Sequence, residues 1–319
     1  MAATVKVAER AQIVAKLETT EGAAISLAAA DAAIRATNIR VTPRGSHAER
    51  AHASAFLGYR PSVIEGEMGE ISFDFELSGS GTAGTAPSAS AILRCAGFSE
   101  TIVAVTSVTY AEISEMGTGA TQIPSMTIAA MFDGLEYRLA GARVSSFEWG
   151  AEAGKRLLVS VTVMGKWSTH ATTALYTGIT YQSTPPLLFK GATFTLNGVA
   201  AKCMGFKFNM GLAAEMREDG TDATGYSSCA FVDRKATATF NVEAPPVSEI
   251  NYFALAQAAT QFAFAGVFGA TAGNILTVSA PKVQCEFPQV TPAGRRLAYN
   301  VGCRVNMNAG HDELVLAFT

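Results

Sequence analysis

One stretch of this chain is written twice. Gly134–Gly165 reads GLEYRLAGARVSSFEWGAEAGKRLLVSVTVMG, and Asn274–Val305 reads NILTVSAPKVQCEFPQVTPAGRRLAYNVGCRV. At a constant shift (287 − 147 = 140), Phe147 meets Phe287, and Ala153-Gly154-Lys155-Arg156-Leu157 meets Ala293-Gly294-Arg295-Arg296-Leu297. Val159 and Val161 then meet Tyr299 and Val301. Both copies alternate at period two around a Gly-containing loop, the pattern of two strands joined by a turn. Upstream the repeat continues at a larger shift (238 − 71 = 167): Ile71–Leu77 meets Ala238–Ala244, Gly58-Tyr59 meets Gly225-Tyr226, and Ile39-Arg40-Val41 meets Phe206-Lys207-Phe208. Copy one therefore carries 27 extra residues (167 − 140 = 27), placed within about 79–124 and predicted as a hairpin over about 101–122, whose Thr101–Ser114 alternates in part (Ile102, Val105, Val108). Chance likeness among Val/Phe/Gly-rich strands is the alternative. Several gap-free blocks in the same order favour duplication.

Each copy combines strands with one helix. In Gly66–Leu77, Ile71, Phe73, Phe75 and Leu77 point one way and Ser72, Asp74 and Glu76 the other. Pro87 opens a short helix with Ala91, Ile92 and Cys95 on one face, ended by Gly97. Copy two repeats this after Pro245-Pro246, with Ile250, Phe253, Ala254 and Gln257 at helical spacing. Met126–Phe132 and Phe262–Phe268 are the strands that follow the helices. The predicted class is α+β, predominantly β: two tandem β-sandwich or barrel units, each with one flanking helix. The division is an N-terminal arm at 1–37, a first unit at 38–182 and a second at 183–319, with Ser183-Thr184-Pro185-Pro186 marking the boundary. Within the arm, Gln12–Glu18 is strand-like; alanine-rich Ala23–Ala36 is either an arm on a neighbouring subunit or an extra helix on the first unit.

The sequence carries no catalytic signature. GxSxG, Walker A, strand-borne GxGxxG, HExxH and CxxC motifs are all missing, so no enzyme, catalytic residue or cofactor is expected. His47 and His52 lie in a polar loop at Arg44–Phe56 without a third ligand, and the acidic loop Met216–Thr224 lacks the far-end glutamate of a calcium loop; no metal is expected. Glu65, Glu67 and Glu70 read as a solvated strand entry rather than a carboxylate pair. No run of about 18 apolar residues occurs, and the start MAATVKVAERAQIVAK has no apolar signal core, so neither a membrane span nor secretion is expected. Five cysteines, odd in number and unmatched between the copies, suggest buried thiols formed in a reducing cytoplasm. Net charge is −3 without a basic block, which disfavours tight gripping of nucleic acid. Only 16% of residues are charged against 49% hydrophobic, so an assembly is expected to hide surface in addition to the cores.

Taken together, the chain resembles the tail tube proteins of long-tailed, non-contractile bacteriophages. The residues that carry the likeness are Ala15-Lys-Leu-Glu-Thr-Thr-Glu-Gly22, Arg94-Cys-Ala-Gly-Phe-Ser-Glu-Thr101, Asp133-Gly-Leu-Glu-Tyr-Arg-Leu-Ala-Gly-Ala-Arg143, Thr184-Pro-Pro-Leu-Leu-Phe-Lys190 and Asp233-Arg-Lys-Ala-Thr-Ala-Thr-Phe-Asn-Val-Glu-Ala244. The resemblance implies units that pack in rings of six, with stacked rings forming a conduit for the genome. It implies a virion protein assembled in the host cytoplasm, with tape-measure, tail terminator and distal tail proteins as partners and no specific DNA binding. Two units per chain then imply a homotrimeric, pseudo-sixfold ring. A β-rich adhesion module and the secreted tube of a bacterial injection machine are the alternatives; absent secretion equipment counts against the first and the duplication against the second.

Two sets of site residues follow from this frame. If Ile71, Phe73, Phe75 and Leu77 take the packed face, Ser72, Asp74 and Glu76 face the channel, with Ser160 and Thr162 beside them and Thr239, Asn241, Glu243 and Asn300 in copy two. Glu76 and Glu243 are repeat-equivalent and would form a ring of carboxylates; an outer-surface position is the alternative. The extra hairpin, with Ile102, Val105, Val108 and Tyr110, is expected to reach the next ring or else to fold back on its own unit.

Overall fold

Strands in this protein form where large apolar side chains recur at every second position, because one sheet face can then be buried whole. In a computed structural model, which describes residues 5–50, 58–113 and 122–319, the pattern at Ile71, Phe73, Phe75 and Leu77 gives four side chains each at most 2% exposed. Burying each contributes roughly 1.5–3 kcal/mol. The first copy comprises β1 (Ala11–Leu17), β2 (Ala36–Ala48), β3 (Val63–Glu76), helix α1 (Ser90–Cys95), β4 (Phe98–Val103), β5 (Ser107–Glu112), β6 (Met126–Phe132), β7 (Leu135–Glu152) and β8 (Leu158–Thr172). The second comprises β9 (Thr193–Leu196), β10 (Val199–Ala200), β11 (Cys203–Asn209), β12 (Leu212–Glu218), β13 (Tyr226–Arg234), β14 (Thr237–Glu243), helix α2 (Tyr252–Gln257), β15 (Gln261–Thr271), β16 (Asn274–Cys285), β17 (Gln289–Ala293), β18 (Arg296–Val305) and β19 (Val315–Phe318). The protein is thus predominantly β with two short helices, as the repeat and its alternation imply.

The two copies share a pairing order. Copy one runs β2–β3–β8–β7–β6–β1, all antiparallel, and copy two runs β11–β14–β18–β16–β15–β9. Repeat-equivalent strands therefore occupy equivalent places. The sheets are not separately closed barrels: β7 of copy one pairs with β11 of copy two, Gly205 opposite Glu152 through Asn209 opposite Glu148, and a single large open sheet runs through both. Trp149 fastens this seam, stacked on Phe208 at 4.8 Å and edge-on to Phe206 at 5.4 Å. The main apolar core is continuous from Ile13 to Phe318 and includes residues of both copies.

Several local expectations need correction. The helices are shorter than their apolar spacing suggests: α1 buries Ile92, Leu93 and Cys95, while α2 buries Tyr252 and leaves Phe253 39% exposed. Arg44–Ala48 belongs to β2 rather than to a loop, and His47 sits 3.4 Å from Ser62; His52 lies outside the described residues. β1 pairs with β6, so Gln12–Leu17 is part of copy one's sheet. Alanine-rich 23–36 contains one 3-10 turn, Ala29–Ala32, whose Ala32 packs with Val14 and Met131 of the same chain. Alanines there have too little apolar area to hold a longer helix on the sheet.

Candidate functional site

Opposite its buried face, the shared sheet presents a polar one. Through the seam the strand order is β2–β3–β8–β7–β11–β14–β18–β17, so side chains of both copies fall into common rows. One row crosses Ser72, Thr162 and Ser146; the next crosses Asp74, Ser160, Glu148, Asn209 and Thr237. Lys207 stands opposite Gly150 and Thr239, and Asn241 opposite Asn300. Glu243 stands at the end of the same face, opposite Ala298. All nine residues expected to line a channel lie on this face, half-buried or exposed, while Leu157, Val159, Val161 and Val163 lie at most 3% exposed on the other. A groove of about 1010 Å³ follows the seam between Glu148, Ser160, Lys207 and Asn241, and a second of about 490 Å³ lies over Arg40, Ser72 and Thr162.

The carboxylates on this face are not bare. Arg156 lies 3.0 Å from Glu76, and Arg296 lies 3.3 Å from Glu243. Those arginines are themselves repeat-equivalent, from the turn that the two copies share (296 − 156 = 140). The two glutamates expected from sequence to contribute to a ring of carboxylates are therefore each paired with an arginine. At the seam, Glu148 accepts from Asn209 at 2.7 Å and lies 2.6 Å from Lys207. Asp74 accepts from Asn38 at 2.6 Å, and much of the rest of the face is hydroxyl, amide and glycine surface.

The hairpin of copy one is β4–β5, with Ile102 opposite Val108. Its expected contact residues divide. Ile102 and Val105 are 52% and 86% exposed, whereas Val108 and Tyr110 are wholly buried. β5 also pairs with β19, Tyr110 opposite Leu316, and the Tyr110 ring meets Phe318 edge-on at 5.9 Å. Val108 and Tyr110 are thus core residues joining the copies and have no surface to offer a neighbour. β19 takes on β16 the place that the end of β8 takes on β7, with Phe318 opposite Leu276 as Ala171 is opposite Glu136, but at a different shift (318 − 171 = 147), so the constant-shift repeat does not reveal it.

Two glutamates outside the expected set organise the approach to the sheet. Glu18 accepts from the amides of Gly22 (2.9 Å) and Gly141 (2.8 Å) and from the hydroxyls of Ser125 (2.6 Å) and Thr127 (2.9 Å). Gly141 has φ +58°, and a Cβ there would stand 2.9 Å from Ser228 Cα, so only glycine brings its amide this close. Glu21 accepts from Arg143 at 2.9 Å and from Ser228 at 2.6 Å. Burial by itself would raise the Glu21 carboxyl, but bonds from Arg143 and Ser228 and the charges of Arg143 and Arg217 hold it below the usual range. Arg143 is 5% exposed and also donates to Ile123 O at 2.8 Å and to Cys229 O. Two of the stretches that carry the family likeness, Ala15–Gly22 and Asp133–Arg143, meet here and tie copy one to β13 of copy two.

Among the described residues no group of three or more His, Cys, Asp or Glu side chains is placed to hold a metal ion. In the acidic loop Asp219 binds Thr221 and Asp222 binds Thr224 and Lys166, closing turns. No described helix is long and apolar enough to cross a membrane. No curated protein matches the sequence significantly. A family model for phage tail tube proteins, however, matches residues 8–298. Spanning copy one, the seam and copy two as far as the start of β18, that match shows that the chain belongs to the phage tail tube protein family, a structural family of the virion tail.

Proposed function

We propose that this chain forms the wall of a tail tube through which the genome is delivered, three chains closing each pseudo-sixfold ring and rings stacking along the tail. The observation that supports it best is the shared sheet, which repeats one four-strand set twice, apolar on one face and polar on the other. Six such sets, from three chains, then bend into a closed wall whose polar face lines the channel. Closure removes the sheet edges that otherwise invite aggregation.

The chemistry of the face suits passage of DNA. Tight phosphate contacts release counterions and hold the duplex, so a slippery wall needs its cations neutralised. Pairing Arg156 with Glu76 and Arg296 with Glu243 does this, and hydroxyls supply wetting without fixed charge. Tape-measure, terminator and distal tail proteins are the further partners in this reading, and the host cytoplasm the place of assembly. Replacing both Glu76 and Glu243 with Lys tests the function. Tubes should still assemble, and DNA ejection should slow several-fold at low salt and recover as salt screens the new cations. Unchanged ejection at low salt from intact tubes would overturn the channel assignment.

A further inference from the structure

The shared sheet has two open ends. Among the described residues β2 is bonded to β3 alone and β17 to β18 alone. Both end strands are repeats of the two that meet at the internal seam. β2 corresponds to β11, Ile39 and Val41 standing for Phe206 and Phe208 (206 − 39 = 167). β17 takes the place of the last part of β7. Gly150 lies opposite Leu158 and Thr291 opposite Ala298, and Leu158 and Ala298 are equivalent (298 − 158 = 140), so Thr291 stands where Gly150 does. The chain thus contains one β7-type edge and one β11-type edge paired with each other, and a second of each left unpaired.

Burial points the same way. Phe147 and Leu157 in copy one are at most 1% exposed, yet their equivalents Phe287 and Leu297 are 65% and 53% exposed. Trp149, at the seam, is 2% exposed, while Val290 in its place is 56% exposed. Phe206 and Phe208 are covered across the seam, but Ile39 and Val41 are only half-buried. Such an apolar strip is the part of copy two that a further copy of the same junction would cover.

Backbone direction agrees. Ala244 donates to Leu297 O, so odd residues of β18 face β14 and Ala298 and Asn300 face β17. Their partners Thr291 and Gln289 face back, which turns Val290 and Pro292 outward. Leu77 donates to Leu157 O, so odd residues of β3 face β8 and Ser72 faces Arg40; Val41 and Pro43 therefore turn outward. Val41 and Val290 can exchange two backbone bonds. Pro43 and Pro292 lack donors and confine the ladder around that pair.

We propose that β17 of one chain pairs antiparallel with β2 of the next in the register of the internal seam, with Gln289 opposite Thr42, Val290 opposite Val41 and Thr291 opposite Arg40. This rests on the ring reading and names the surface by which the ring closes. Gln289 takes the place of Glu148, which binds Asn209 and Lys207 at the seam, and so faces Thr42 and Arg40, their equivalents. An amide accepting from Arg40 replaces an ion pair.

Cysteine pairing tests the register. Thr291 and Arg40 form a non-hydrogen-bonded pair, whose Cα atoms lie about 4.5 Å apart, within disulfide reach. Arg40→Cys with Thr291→Cys should give covalent dimers and trimers on mild oxidation of assembled protein, reversed by reductant. Arg40→Cys with Gln289→Cys, two residues out of register on the same face, should give at least about tenfold less, since diagonal pairs lie about 7–8 Å apart. The native thiols are free, and burial pushes Cys229 up to about 11 and Cys203 up to about 12, which keeps them from competing. As a second variant, Val290→Pro removes the one outward donor of β17 and should abolish lateral association while leaving the monomer's thermal transition in place. Rings or tubes in the microscope with equal or stronger cross-linking of the shifted pair, or normal assembly of Val290→Pro, would overturn the register and leave the ring standing. Monomers alone in wild type would overturn both.

Discussion

Glu18 shows how much one side chain can decide here. Its carboxylate takes four donors from three separate places: the turn that follows β1, the start of β6 with the residue before it, and β7. Hydrogen bonds to a charged acceptor contribute about 1.5–3 kcal/mol each and do not add, so Glu18→Ala is expected to cost about 2–4 kcal/mol. Glu18→Gln, which keeps one acceptor oxygen, should cost about half as much; urea unfolding monitored by tryptophan fluorescence measures both. A change below about 0.5 kcal/mol for the alanine variant would remove Glu18 as an anchor. In the sequence, alternation told which side chains of β3, β8 and β14 face the core, because burial of Phe73 or Phe240 depends only on parity along a strand. Partners from distant strands were not legible. Arg156 was visible as a repeated residue, but its place beside Glu76 follows from the β3–β8 register and the turn after β7, which spacing alone does not fix.

At the scale of elements, the β4–β5 hairpin divides into a root and a tip. The root is core: Val108 and Tyr110 hold β19 against the sheet, so deleting the hairpin would unfold the join between copies. The tip is the part free to act outside the chain, with Ile102, Val103 and Val105 all about half or more exposed. Val105 has φ +59°, a conformation that costs a β-branched residue on the order of 1–3 kcal/mol and that glycine adopts freely. In the proposed tube this tip meets the next ring. Ile102→Ser with Val105→Gly should then leave the melting temperature unchanged or raised while shortening tubes to single rings or short stacks, seen by negative-stain microscopy. Full-length tubes from this variant would assign the tip no part in stacking. The hairpin itself was legible as an excess of residues in copy one. Its pairing with β19 was not, because β19 stands in the place of the end of β8 at another shift and with unlike residues, and copy one has no second hairpin to show what docks beside it. The helices were overestimated, since Ile250 is buried ahead of α2 while Phe253, inside it, is 39% exposed, so their spacing does not mark one buried helix face.

At the scale of the whole molecule, duplication explains the sheet, and the seam is the pattern for the proposed assembly. Each copy alone has a β7-type edge and a β11-type edge; joined in one chain they satisfy each other once and leave one of each over. Heterologous contacts of this kind either close into a ring or run on as a filament, depending on the rotation they impose. The twofold repetition was plain in the sequence; that the two sheets would be one was not, because β7 and β11 are separated by the linker and both read as ordinary half-buried strands. The most direct test is a reconstruction of the assembled tube computed without imposed symmetry. Three chains per ring, with Ser72, Glu76, Thr239 and Glu243 turned to the channel and β17 bonded to β2 of the next chain, is the expected map. Six chains per ring, or that polar face turned to the outside, would contradict it.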